Sequence, residues 1–178
     1  FSLEQSKPQN YGGIGVVIAH EITHGFDDEG KKFDAEGNLN NWWTVNDDKK
    51  FHLEAEKLVS QFSGFEIYGM RVNGKLTLGE NLADLGGVRI SLVALTKKLG
   101  SITNSQKKEF FESFARIWAN LCTVEEGQKL IKTDPHSPGE YRVNGILVNL
   151  EEFHLTYGIN ESHQMFLPKD KRCLIWSL

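Results

Sequence analysis

His20, Glu21 and His24 stand in the spacing H-E-x-x-H, inside the stretch Gly12-Gly13-Ile14-Gly15-Val16-Val17-Ile18-Ala19-His20-Glu21-Ile22-Thr23-His24. If this apolar run is a helix, the two histidines share one face, with about 5–6 Å between their Cβ atoms. Two neutral imidazoles at that spacing reach one tetrahedral Zn²⁺. Glu21, one step round the helix from His20, then sits beside the metal, where a carboxylate can take a proton from bound water. The plain alternative is a buried apolar helix that happens to carry two histidines. A chance H-E-x-x-H in a chain of this length arises on the order of once in a hundred, so the pattern predicts a zinc site.

Two histidines leave a catalytic zinc one protein ligand short. The longer pattern HExxHxxGxxH needs a glycine and a histidine where Asp27 and Gly30 stand. A glutamate about twenty residues after His24 is also missing, since Trp42, Trp43 and Thr44 occupy that region. The remaining candidate is Gly79-Glu80-Asn81-Leu82-Ala83-Asp84. Glu80 and Asp84 are four apart at the start of a long helical pattern and share a face. One of them can ligate the metal, while the other accepts the free N–H of a ligating histidine. The bland account is a solvated first turn stabilised by two acids near the helix dipole.

The elements that must position these residues read as follows. Residues 1–10 are polar and irregular, and a first helix runs from Tyr11 to about Phe26. Asp27-Asp28-Glu29-Gly30 ends it, and Lys31 to Asn41 is a Gly- and Asn-rich loop. Thr44 caps a helix through Phe62, and Phe65 to Leu76 reads as a hairpin turning at Asn73-Gly74. Leu78 to Leu99 is a long helical pattern. Ser105 caps a further helix to Leu121, and a shorter one spans Val124 to Lys132. Asp134-Pro135-His136-Ser137-Pro138-Gly139 cannot be regular. Val143 to Val148 reads as a brief strand, Leu150 to Tyr157 as a last helix, and the tail as extended. The expectation is one mainly α domain (α+β) with a few short strands.

The 178 residues fall in the range of a single domain and can bury roughly 70% of their unfolded surface. A net charge of −4, with no Lys/Arg cluster larger than a pair, argues against a nucleic-acid partner. No apolar run approaches the length that spans a membrane, and no signal peptide is visible, so this segment is expected to make no membrane contact. The chain begins with Phe1, which reads as a piece of something longer. Cys122 and Cys173 are too few for a disulfide framework and lie outside any CxxC pair; on spacing alone they read as free thiols.

The segments NYGGIGVVIAHEITHGFDDEG, GNLNNWW, GENLADLGG and DPHSPGEYRVNG resemble the zinc endopeptidases of the neprilysin (M13) family, and the likeness runs from near Phe1 to Cys173 and Trp176. The resemblance implies a thermolysin-like core, one Zn²⁺ on His20, His24 and Glu80, and Glu21 as general base. It implies that Asp84 orients His20 and helps in proton transfer, that His136 hydrogen-bonds the oxyanion, and that Asp27 steadies that histidine. Arg142 matches an arginine that binds a substrate carbonyl. Val16, Val17 and Trp118 would line the apolar pocket just after the scissile bond, so peptide substrates would be cut before a large hydrophobic residue. Without the resemblance, Arg142 would be an ordinary surface arginine and the valines and Trp118 core. His52, His154 and His163 match nothing in the family's site and are expected at the surface.

The same likeness makes residues 1–178 the C-terminal catalytic segment of a longer peptidase. The family's N-terminal helical domain and the strand with an Asn-Ala-x-Tyr-like motif are missing. Cys122 and Cys173 match two family positions that pair with each other, and vertebrate cysteines are replaced by Glu54 to Val59 and Phe153-His154-Leu155. These features imply a bacterial or divergent member, extracellular, periplasmic or at the cell surface, with a cytoplasmic setting open for a bacterial one. The rival expectation is a zinc-stabilised domain that binds peptides or partners without turnover.

Overall fold

The computed structural model describes residues 1–176. The first helix starts at Lys7, earlier than the apolar pattern indicates. Ser6 Oγ accepts from Gln9 N at 3.2 Å and Gln9 Oε1 from Ser6 N at 3.0 Å, a reciprocal cap that starts α1 (Lys7–Asn10). A π-helical turn (Tyr11–Gly15) leads into α2 (Val16–Thr23), and a 3-10 turn (His24–Phe26) closes it. Asp27 then takes an extended conformation and ends the run.

The site depends on how α2 meets α4 (Leu78–Leu99). A Cβ on Gly87 would lie 2.9 Å from the Val16 carbonyl oxygen and 3.1 Å from His20 N. Only a glycine lets the two backbones approach so closely. The opposite side of α4 supplies Leu82, Leu85 and Leu95 to the core, where they meet Leu58 and Phe62 of α3 (Val45–Ser63) and Phe110, Phe111 and Phe114 of α5 (Asn104–Ile117). One helix therefore carries core on one face and the candidate ligand Glu80 with Asp84 on its first two turns.

Thr44 caps α3 as expected, accepting from Asp47 N at 3.1 Å. The cap of α5 is Thr103, not Ser105, because Thr103 and Gln106 exchange bonds and satisfy two orphan N–H groups. The hairpin pairs β1 (Glu66–Ile67) with β2 (Met70–Arg71), antiparallel, and turns at Tyr68-Gly69 with φ of 56° and 71°. α6 (Val124–Thr133) matches its expectation. Val143 to Val148 does not form a strand. α7 (Gly139–Leu147) runs through it, because Pro138 opens a helix and Arg142, Val143, Ile146 and Leu147 are buried at helical spacing. α8 (Glu151–Tyr157) follows.

The tail holds a 3-10 turn (Lys169–Lys171) and is otherwise irregular. Arg89 on α4 anchors it by donating to the carbonyls of Cys173 (2.9 Å) and Ile175, and donates also to the carbonyl of Asn149 before α8 (3.1 Å). The Cys122–Cys173 bridge implied by the resemblance is not formed, and both thiols are free. Cys122 is exposed between α5 and α6, with Sγ 3.6 Å from the Tyr68 hydroxyl, whereas Cys173 is fully buried in the core. Among the described residues no helix is long and apolar enough to cross a membrane.

Candidate active site

His20 and His24 project from the end of α2 with ring centroids 4.6 Å apart and planes at 90°. Each ring is fixed through Nδ1. His20 Nδ1 donates to Asp84 Oδ1 at 2.8 Å, and His24 Nδ1 donates to Asp27 Oδ2 at 2.7 Å. That assignment makes both Nε2 atoms lone-pair acceptors, and they face each other at 3.0 Å. Two acceptors so close repel unless something positive stands with them. Glu80 adds an anion: Oε2 lies 3.2 Å from His20 Nε2 and Oε1 3.6 Å from His24 Nε2. Glu80 Oε2 is buried with no hydrogen bond of good geometry, so its near neighbours leave it unsatisfied. Ligand atoms of His20, His24 and Glu80 all lie within 4.8 Å of one another. Two imidazole nitrogens and a carboxylate are a donor set for zinc, and carboxylates behind both rings complete it.

The charges agree with that fit. Burial disfavours an imidazolium at His20, but Asp84 and Glu80 outweigh it and raise its pKa to about 9. A metal cation on Nε2 answers the same carboxylates without that proton. At Glu80 burial works upward, yet contact with His20 and the charges of His136 and His24 hold the carboxyl below its ordinary range. It is an anion ready to ligate.

Asp84 is fully buried and bound twice by Arg142: Nε donates to Oδ2 at 2.7 Å and Nη2 to Oδ1 at 2.7 Å. Such a bidentate pair fixes both partners. Arg142 is therefore no surface arginine. It stacks on Trp118, with Cζ 3.7 Å from the ring centroid, and among the described residues Nη1 is the guanidinium nitrogen it does not spend on Asp84. Glu21 is exposed on α2 beside His20.

His136 Nε2 reaches Glu80 Oε2 at 3.2 Å, so the irregular 134–138 segment does come to the site. The residue that steadies it is Asp134, not Asp27. Asp134 Oδ1 accepts from His136 Nδ1 at 2.7 Å and from His136 N at 2.8 Å. Asp27 is already committed, with Oδ2 on His24 and Oδ1 on the N–H groups of Glu29 (2.9 Å) and Gly30 (2.7 Å). Sequence reasoning missed Asp134, although an Asp two residues before a His is the spacing of a side-chain turn.

The expected apolar pocket is assembled in part. A cavity of about 470 Å³ is lined by Trp118, Arg142 and His136 with Leu130, Ile131 and Val143, and neither valine of α2 belongs to it. Val16 is 1% exposed and packs into the core, and Val17 is half-buried. His52 and His163 are exposed as expected, but His154 is buried. Its Nε2–H donates to the Val148 carbonyl at 2.9 Å, and Nδ1 accepts from Arg172 at 3.1 Å.

Residues 1–173 match the sequence profile of Peptidase family M13. The chain is 42% identical over 176 residues to a neutral endopeptidase of Lactococcus lactis, across 99% of this chain and 27% of that protein. It is 38% identical over 187 residues to endothelin-converting enzyme 1 of Homo sapiens, across 99% of this chain and 24% of the relative. The fold superimposes on the Mycobacterium tuberculosis zinc metalloprotease ZMP1, solved with an inhibitor, with a TM-score of 0.95 at 35% identity, covering 99% of this chain and 29% of that one. The chain spans about a quarter of the length of the curated relatives it matches.

Proposed function

The chain belongs to peptidase family M13, and from that membership we propose that it forms the zinc-binding catalytic segment of an endopeptidase acting on oligopeptides. The observation that carries the reading is the pair of Nε2 atoms held 3.0 Å apart beside Glu80, with a carboxylate behind each ring. His20, His24 and Glu80 would hold one Zn²⁺, which when bound polarises the scissile carbonyl and acidifies the attacking water. Glu21 takes the proton of that water at its carboxylate and passes it to the leaving nitrogen. His136 directs Nε2 at the oxygen that becomes negative, with Asp134 holding its other nitrogen. Arg142, fixed by Asp84, offers Nη1 to a substrate carbonyl. Asp84 keeps the His20 tautomer that leaves Nε2 free for metal.

Trp118 and the apolar lining beside Arg142 support cleavage before a large hydrophobic residue. The exported or cell-surface setting rested partly on the Cys122–Cys173 bridge, and with both thiols free that support falls away. Zinc content and hydrolysis of peptides with a large apolar residue after the cut site test the reading in the intact protein. Zinc retained with no hydrolysis by that protein would sink it in favour of the rival, a zinc-stabilised binding domain.

A further inference from the structure

We propose that Asn81 and Ser137 are a positioning pair that sets His136 against the metal group. The inference rests on the reading of His136 as the group that meets the developing oxyanion. Each member is the chain neighbour of a site residue: Asn81 follows Glu80, and Ser137 follows His136. Beneath the 3.2 Å contact of His136 with Glu80, Ser137 Oγ–H donates to Asn81 Oδ1 at 2.8 Å. Asn81 Nδ2 donates onward to Thr77 Oγ1 at 3.0 Å, and Thr77 Oγ–H donates to the Asn73 carbonyl at 3.2 Å. Ser137, Asn81 and Thr77 are all buried.

The chain of donors has one direction. Turning the Asn81 amide over would face its NH₂ to Ser137 and force Thr77 Oγ1 to donate to Asn81, which leaves the Asn73 carbonyl with the Thr77 N–H alone of its two bonds. The observed orientation gives every member a partner of the right kind, and a buried polar chain so paired specifies one geometry. That geometry matters because the His136 ring itself is exposed and its segment is irregular. Among the described residues, the Ser137–Asn81 bond is the one side-chain hydrogen bond joining 134–138 to α4; the His136–Glu80 ion pair is the other tie. Asp134 holds the imidazole within the loop, but it does not hold the loop to the helix. Asn81 and Ser137 do, from underneath and without reaching a substrate.

The test is a double-mutant cycle in the intact, zinc-loaded protein. Ser137→Ala removes only a hydroxyl. It should lower kcat about 10-fold or more with KM within about twofold, since a small misplacement of a group that acts in the transition state lowers turnover. In a His136→Ala background the same change should add less than about twofold, because its effect passes through His136. An equal loss in both backgrounds would mean a general structural role and overturn the proposal. Amide exchange gives a readout without activity. Ser137→Ala and Asn81→Leu should each speed exchange at Asp134, His136 and Ser137 by about tenfold or more, with α2 and the later turns of α4 unchanged. Unchanged exchange there overturns the pair whatever the activity. Faster exchange in a protein that hydrolyses nothing would sink the peptidase reading while the tie stands.

Discussion

Glu80 and His136 meet at 3.2 Å, Oε2 to Nε2, from the first turn of α4 and the loop before α7. The same oxygen lies 3.2 Å from His20 Nε2 and 3.7 Å from Arg142 Nη2, and it makes no hydrogen bond of good geometry. A carboxylate ringed by nitrogens yet bonded to none is positioned for a ligand that replaces those contacts.

Glu80→Ala should therefore abolish metal binding, while Glu21→Ala should keep about one zinc per chain, because in the proposed roles Glu80 would offer a ligand oxygen and Glu21 would meet only the attacking water. Metal analysis of the two purified variants checks this. Equal zinc loss in both would break the division of roles.

Asp84 serves both a ring and a guanidinium, so its removal acts twice. Asp84→Ala leaves Arg142 buried without its partner and frees the His20 ring. Zinc affinity should drop about 10–100-fold, and stability should fall by roughly 3–5 kcal/mol as for a broken buried pair. Zinc titration and thermal unfolding read the two effects separately. A variant that binds zinc normally would remove Asp84 from the support of His20.

His136 and Arg142 should separate kinetically. His136→Ala should lower kcat by roughly 10²–10³ with little change in KM, as for loss of an oxyanion donor, and Asp134→Ala should move kcat in the same direction by less. In the proposed role Arg142 would grip a carbonyl present throughout the reaction, so its loss should chiefly raise KM. Arg142→Ala also unpairs Asp84, so unfolding curves must accompany the kinetics. If both variants raised KM alike and left kcat alone, the oxyanion role would belong elsewhere.

The helix that carries His20 and His24 was legible because H-E-x-x-H is a local pattern, and the placement of Glu80 with Asp84 because their spacing fixes a shared helix face. Contacts between distant segments were not. Asp27 was expected at His136, yet the extended residue after α2 turns its carboxylate back to His24, three positions earlier. Asn73-Gly74 has the strongest hairpin signature in the chain but makes no hairpin. Asn73 Oδ1 accepts from Lys75 N at 3.2 Å and Leu76 N at 3.1 Å, and a Cβ on Gly74 would lie 2.3 Å from the Val59 carbonyl oxygen. That glycine serves a close approach between segments, which no local turn rule records.

The two thiols should behave differently. Cys122 is exposed, whereas burial pushes the Cys173 thiol up to about 11. Alkylation of the native protein should label one cysteine and alkylation after unfolding two, since the thiolate is the reactive form. Mass spectrometry finding a bridged pair in protein handled without reductant would restore the disulfide that the family likeness implied.

The buried His154 gives the protein an acid-sensitive contact outside the candidate metal group. Arg172 can only donate, so His154 Nδ1 is an acceptor and its proton sits on Nε2, toward the Val148 carbonyl. Burial comes first in lowering its pKa; Arg172 and Lys169 work the same way, while the Val148 bond and Glu151 oppose them. A histidine whose folded pKa lies below the unfolded value of 6.5 binds its proton more readily in the unfolded chain. Its contribution to stability is therefore whole above about pH 6.5 and is lost as pH falls through that value toward the folded pKa. Glutamine can donate to the Val148 carbonyl and accept from Arg172 without taking up a proton, so His154→Gln should lack this component. Between pH 7 and 5.5, above the range where ordinary carboxylates protonate, the wild type should lose stability faster than the variant. The difference cannot exceed about 1.4 kcal/mol per pH unit for one proton, or roughly 2–4 °C per kcal/mol in Tm for a domain of this size. Thermal unfolding of both proteins at matched zinc content measures it. Parallel Tm curves across that window would mean that His154 accepts its proton in the folded state as easily as in the unfolded one, and that the bond to Arg172 is not held in solution.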